Sequence, residues 1–324
     1  MLNSGNKGIT ESIVFFGSGP VAAASLELLA QSFSIEAVIT KPRPPQHRGA
    51  VPVITTAESL GLPIITTADK TELSAKIATA NLKSRVAVLI DFGIIVRQDV
   101  IDSFPLGIVN SHFSLLPEWR GADPITFAIL SGQQQTGVSL MLLVEAMDEG
   151  PLLAQAPYDI APTETTPTLT QNLIELSYSL LCEILPLYLS DAVQPAPQET
   201  ATQATPEPSY SRKLTKKDGT LDFQKPAATL EREIRAYLEW PKSHTSIAAK
   251  DVIITAAHVA SSYDTGVAVG GVYVYDKNLL IQTHEGALAI DMLKPSGKSE
   301  MSASAFIAGY GQNLERITTN PKST

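Results

Sequence analysis

The sequence predicts an α/β protein: a mostly parallel N-terminal sheet with helices on both faces, plus a smaller C-terminal β-barrel domain. Three observations carry this expectation. Short apolar runs alternate with helical patterns over residues 12–160. Composition then shifts over 191–209, where four prolines occur and no long apolar run does. Beyond that, short β-like pieces follow one another with turns between them.

The elements follow in order. "SIVFF" (12–16) is a continuous apolar run, the pattern of a strand buried on both faces. It leads through Gly17-Ser18-Gly19-Pro20 into "VAAASLELLAQSF", a helical pattern. "IEAVIT" (35–40) is a second strand and opens a Pro-rich loop, "KPRPPQHRGAVP". "LPIIT" (62–66), "RVAVLI" (85–90), "GIVN" (107–110) and "GVSLMLLV" (137–144) continue the series. Strands and helices in alternation build a Rossmann-like sheet. Leu169, Leu173, Leu176, Leu180 and Ile184 keep helical spacing, and Thr166-Pro167 is a start signal. Residues 191–209 read as an extended linker. "AATLEREIRAYLEW" (227–240) is a helix with Leu230, Ile234 and Leu238 on one face. "SHTSIAA", "DVIITAAHV", "GVYVYD", "LLIQT" and "GALAIDML" predict a small, OB-like barrel. The expected domains are a catalytic domain at 1–190, the linker at 191–209 and a C-terminal domain at 210–324.

Of the 324 residues, 44% are hydrophobic and 18% charged, which suits a globular chain with a sizeable core. The first dozen residues are polar, and no run approaches the roughly 18 apolar residues of a membrane span. The one cysteine, Cys182, lies in an amphipathic pattern and is expected to be buried and inert. These features place the chain in the cytoplasm. Residues 1–209 hold 10 Lys+Arg against 21 Asp+Glu, a net −11; residues 210–324 hold 14 against 12, a net +2. The two parts are therefore expected to meet different partners.

The chemistry concentrates in "GIVNSHFSLLPEWRGADP" (107–124). On a strand Asn110 and His112 face the same side. After the apolar run 137–144, "EAMDEGP" places Asp148 on a loop, and sites in open parallel sheets form at strand carboxyl ends. Asn offers N–H groups to an oxyanion, His moves protons near neutral pH, and Asp orients a His ring. Such a trio suits acyl transfer to a nucleophile that the substrate brings. The five histidines are scattered and no Cys pair exists, so no metal is expected. Gly17-Ser18-Gly19-Pro20-Val21-Ala22 fits a dinucleotide fingerprint, which keeps an NADP-dependent oxidoreductase as an alternative. The acid expected about 20 residues on is not in place, and such turns also occur in sheets that bind no nucleotide.

"NSHFSLLPEWRGADPI" resembles the Asn-x-His…SLLP…RG…PI signature of the 10-formyltetrahydrofolate-dependent formyltransferases. Three further stretches, "TKPRPPQHRG", "YSRKLTKKDGTLDF" and "REIRAYLEWPKSHT", are similar to segments of the methionyl-tRNA formyltransferases within that superfamily. The resemblance runs from about Ile13 into the C-terminal domain. It implies an enzyme that moves the formyl group of 10-formyltetrahydrofolate to the amine of initiator methionyl-tRNA. It assigns catalysis to Asn110, His112 and Asp148, and folate binding to the turn Ser114, Leu115, Leu116 and Pro117. Lys41, Arg43 and Arg48 lie in the loop that would meet the tRNA acceptor end. With the tRNA as partner, Lys213, Lys216 and Lys217 would contact its phosphates, helped by Arg232 and Arg235. Leu115 and Leu116 would wall the pterin. Glu149 departs from the family's usual Asp-Thr-Gly at 148–150. A monomer is expected, with no metal and no membrane. A formyltransferase acting on an amino sugar nucleotide remains open beside these readings.

Overall fold

The computed structural model describes residues 12–44, 49, 51–201, 207–260, 263–264, 266–316 and 322–323. The chain divides into two compact units. The first holds residues 1–124, 135–159 and 170–211, and the second holds 125–134, 160–169 and 212–324.

The first unit alternates strands and helices as the apolar runs predict. Its elements are β1 (Ser12–Phe16), α1 (Pro20–Leu29), β2 (Ser34–Thr40), α2 (Pro52–Ser59), β3 (Ile64–Thr66), α3 (Lys70–Thr79), β4 (Val86–Leu89), α4 (Gln98–Ile101) and β5 (Ile108–His112). Then come β6 (Arg120–Gly121), α5 (Pro124–Ser131, part of the second unit from Ile125 on), β7 (Gln135–Leu142), β8 (Leu152–Asp159), α6 (Thr166–Leu189, its first turn in the second unit), α7 (Gln198–Ala201) and β9 (Tyr210–Ser211). The main sheet runs β3-β2-β1-β4-β5-β7-β8. The first five strands are parallel. Ile13, Val14, Phe15 and Phe16 are all fully buried, so the central strand is covered on both faces.

The last two strands differ from the parallel expectation: β7 runs antiparallel to β5 and to β8. β7 is buried over six consecutive residues, so its apolar run reads like that of a parallel strand. Only pairing reveals its direction: His112 lies opposite Ser139 and Val109 opposite Leu142.

α6 is long and apolar enough, by length and composition alone, to cross a membrane. Its buried residues include Leu173, Leu181 and Leu185. Side-chain bonds tie it to the sheet: Ser177 to Ser111 (2.7 Å), Asn172 to Tyr158 (2.7 Å) and Tyr188 to the Leu106 carbonyl (2.8 Å). Cys182, expected buried, is half-buried on this helix.

The stretch expected to be an extended linker is partly built into the first unit. Leu152 and Ala196 exchange both backbone hydrogen bonds, at 2.8 and 2.9 Å. Gln198 on α7 is 3% exposed. β9 pairs with β6 in parallel. Prolines deny a regular strand here without preventing single bridges and one helical turn.

The second unit carries α8 (Ala227–Ala236), β10 (His244–Ile247), β11 (Lys250–Ala260), β12 (Tyr263–Asp264), β13 (Val272–Tyr275), β14 (Asn278–Gln282) and β15 (Ala287–Pro295). β16 (Met301–Ser302), α9 (Ala303–Tyr310), β17 (Glu315–Arg316) and β18 (Lys322–Ser323) complete it. The sheet β10-β11-β15-β14-β13-β17 curls into a half-barrel. Register shifts in β11 near Ala256 bend the strand. Leu230 and Ile234 of α8 pack on Ile254, Leu279, Leu288 and Phe306. Leu238 falls outside the helix, which ends at Ala236; the Trp240-Pro241 step that follows disfavours helical backbone.

Candidate active site

β5 alternates its side chains. Ser111 points to one face and bonds Ser177, while Asn110 and His112 point to the other, at 6% and 7% exposure. Asp148 meets them there. Its Oδ1 accepts from Asn110 Nδ2 at 3.5 Å, and its Oδ2 lies 3.8 Å from His112 Nδ1. The Gly121 backbone N–H donates to Oδ2 at 2.7 Å. His112 Nε2 lies 3.0 Å from the Trp119 carbonyl. A carbonyl only accepts, so this bond needs the proton on Nε2, which turns Nδ1 toward Asp148. The sequence-predicted trio is therefore one cluster.

Asp148 does not reach it from a parallel strand's carboxyl end. β7 finishes level with Val109, and the loop 143–151 folds back over the sheet face. Two backbone features permit that return. Asp148 adopts the left-handed region, φ 55°, which Asp tolerates. Gly150 lies against the Leu142 carbonyl so closely that a Cβ would come within 1.7 Å of its oxygen.

The turn Ser114–Pro117 is fastened to the sheet beneath it. Ser139 Oγ donates to Ser114 O (2.6 Å) and accepts from Leu116 N (2.9 Å), while Gln155 donates to Leu116 O (2.9 Å). Leu116 is fully buried with Met141 and Leu152, so its side chain packs the core. Leu115 is half-buried, with its tip against Gly137. Two strongly exposed apolar side chains are Ile95 (70% exposed), on the loop after β4, and Met147 (68%), on the loop after β7. These loops follow the two strands that flank β5.

The basic residues separate into groups. Lys41 reaches the loop after β4, its Nζ close against Gly93. Arg43 donates to Gly49 O at 3.0 Å. Arg48 lies outside the described residues. Lys213, Lys216 and Lys217 are exposed in the second unit, the last two on a short turn of helix capped by Thr215 and Asp218. Arg232 and Arg235, by contrast, are engaged internally. Arg232 donates to Leu130 O (3.2 Å), and Arg235 pairs with Glu231 and donates to Glu164 O (2.6 Å).

Asp91 escaped the sequence reading. It follows β4 in left-handed backbone, φ 46°, and its Oδ2 would lie 2.0 Å from a Cβ on Gly19, the N-cap of α1. The chain's own carboxylate thus occupies the glycine turn where a dinucleotide would bring its pyrophosphate, which argues against the nucleotide alternative. Burial pushes the Asp91 carboxyl up to about 6; Lys41 opposes the rise and Asp123 adds to it. Because the folded carboxyl titrates above its ordinary 3.8, its contribution to stability is full below that value and is lost as pH rises through about 6. Asp91→Asn is expected to raise Tm more at pH 7.5 than at pH 4, which thermal denaturation at both values checks.

Comparison with known proteins gives the family. Residues 12–185 match the formyl transferase family and residues 213–311 the formyl transferase C-terminal domain. The methionyl-tRNA formyltransferase of Roseiflexus castenholzii is 36% identical over 303 residues, covering 92% of this chain and 95% of that protein. That of Myxococcus xanthus is 36% identical over 306 residues, with 92% and 95% covered. The crystal structure of an N-formyltransferase from Helicobacter canadensis, with folinic acid and dTDP-3-aminofucose, shares the fold at a TM-score of 0.64 and 18% identity, covering 87% of this chain and 98% of that one. Matched along both units, the chain belongs to the formyl transferase family, in its methionyl-tRNA formyltransferase branch.

Proposed function

We propose that the protein transfers the formyl group of 10-formyltetrahydrofolate to the free amine of initiator methionyl-tRNA, in the cytoplasm, with Asn110, His112 and Asp148 as its catalytic residues. The convergence of these three side chains on one face of β5 carries the reading. The neighbouring hydroxyls are committed: Ser111 to Ser177 and Ser114 to the Glu118 carbonyl. The nucleophile is then the amine of the substrate. Similarity over nearly the whole length to methionyl-tRNA formyltransferases supports this acceptor over an amino sugar nucleotide.

The chain's own groups do the following. Asn110 Nδ2 donates to the oxygen that becomes an oxyanion when the amine nitrogen bonds the formyl carbon, and the His112 Nε2–H joins it on turning from the Trp119 carbonyl. Asp148 accepts the proton released by the amine. His112 gives its Nε2 proton to the folate nitrogen as that nitrogen's bond to carbon breaks and takes the proton held by Asp148 at Nδ1, leaving formylated methionyl-tRNA and tetrahydrofolate. The folate, when bound, supplies the formyl carbon and takes back the bonding pair. The Ser114–Pro117 turn, held in place through Ser139 and Gln155, takes the folate.

Lys41, Arg43, Arg48, Lys213, Lys216 and Lys217 take the tRNA phosphates in this account. Residues 1–209 are net −11, so attraction for a polyanion has to come from clustered cations. Changing Lys213, Lys216 and Lys217 together to Ala is expected to raise the KM for methionyl-tRNA several-fold and to lower the salt slope of binding by about 2–3. The KM for the folate stays unchanged. A wild-type salt slope would remove these lysines from the interface. Offered methionyl-tRNA and an amino sugar nucleotide with the same donor, the protein formylates the first; preference for the sugar overturns the acceptor.

A further inference from the structure

We propose that Gln198, backed by Arg120, is a positioning residue for the transfer: it fixes the loop that carries Asp148. Gln198 belongs to a Pro-rich stretch that looks like a tether, yet it is 3% exposed. Its Nε2 donates to the carbonyls of Asp148 (2.8 Å) and Gly150 (3.0 Å). Its Oε1 accepts from Arg120 Nη2 at 2.8 Å. Arg120, 7% exposed, places its Nη1 3.2 Å from Glu149 Oε1. Two side chains thus hold three successive residues, 148–150.

This loop needs a restraint from outside. It returns over the sheet from an antiparallel strand, and Asp148 sits in left-handed backbone. The 143–151 chain has to place a carboxylate between Asn110, His112 and the Gly121 N–H. The far end of the same stretch grips the other side of the trio. Ser209 Oγ accepts from Trp119 N (2.9 Å), and Ser209 O accepts from Arg120 N (2.9 Å). Trp119 O is the partner of His112 Nε2. Gln198 and Ser209 therefore hold the backbone at Asp148 and at Trp119, the partner of His112. A displacement of about 1 Å at a reacting group costs about 10²-fold in rate, which sets the scale of what Gln198 guards.

The inference rests on the formyl-transfer reading, and its test separates the two. Gln198→Met keeps the side-chain volume and loses every amide bond; Gln198→Glu keeps the Arg120 contact and loses the two donations, so it answers the same question if the first variant folds poorly. Each is expected to lower kcat by roughly 10–100-fold, with the KM of both substrates unchanged. In an Asp148→Asn background the same change should cost less than about twofold more, because the guarded group is already gone. NMR of the His112 ring, which needs no activity, should show shifted resonances in Gln198→Met. An active wild type with a Gln198→Met kcat within twofold, losses that multiply independently in the double variant, or an unmoved His112 spectrum would each overturn the inference. A wild type that formylates nothing would instead overturn the reading beneath it, and the ring spectra would still decide the positioning.

Discussion

Asn110→Ala and His112→Ala are each expected to lower kcat and kcat/KM for formyl transfer together, by about 10²–10³, because each removes a donor to the developing oxyanion. Both side chains are buried on the face of β5 that meets Asp148, and neither holds the sheet together. The strand's packing runs through its other side chains, with Ile108 and Val109 fully buried and Ser111 fastened to Ser177. The fold is therefore expected to survive either change, with cooperative thermal unfolding retained. His112→Ala should be the more damaging, since it removes a proton donor for the leaving nitrogen as well as an oxyanion donor. Steady-state kinetics check both. An increase in KM at constant kcat would make these residues binding groups and leave the transition-state role without support.

Asp148→Asn is expected to lower kcat by roughly 10²–10⁴, the range of acid–base assistance, while leaving substrate KM values in place. The substitution keeps the shape. An amide oxygen still accepts the Gly121 N–H that Asp148 Oδ2 now accepts at 2.7 Å. The left-handed backbone at 148 suits Asn as well as Asp. What disappears is the charge facing His112 Nδ1 and the base for the amine proton. Kinetics with both substrates, beside circular dichroism to establish the fold, measure the effect. Undiminished turnover would mean that Asp148 is a loop residue and that the proton leaves by another route.

Much of this architecture was legible in the residues, and the exceptions have physical causes. Continuous apolar runs such as "SIVFF" and "RVAVLI" predict central strands because both their faces are covered. Asn110 and His112 could be paired from the period of a strand alone. Asp148 could be named from its place after an apolar run, but the expected route to the site was wrong. Nothing in "GVSLMLLV" distinguishes a buried antiparallel strand from a parallel one, and the fold-back of 143–151 follows from that direction. Leu116 misleads for a related reason: an apolar residue beside a site reads equally well as pocket wall or core, and here Met141 and Leu152 surround it. Arg232 and Arg235 read as free cations until Leu130, Glu231 and Glu164 engage them. Gln198 gave no signal. Its role depends on two carbonyls some fifty residues away in sequence, Asp148 and Gly150, and a Pro-rich composition hides such contacts. Asp91 likewise acquires meaning only when the ends of β1 and β4 bring it onto Gly19.

The most direct measurement is transfer itself: purified protein, methionyl-tRNA and 10-formyltetrahydrofolate labelled in the formyl carbon, followed in a single turnover. Label is expected on the methionyl amine in step with tetrahydrofolate release, with loss of both together in Asn110→Ala. Release of labelled formate without formylated methionyl-tRNA, or no reaction of either substrate, would contradict it.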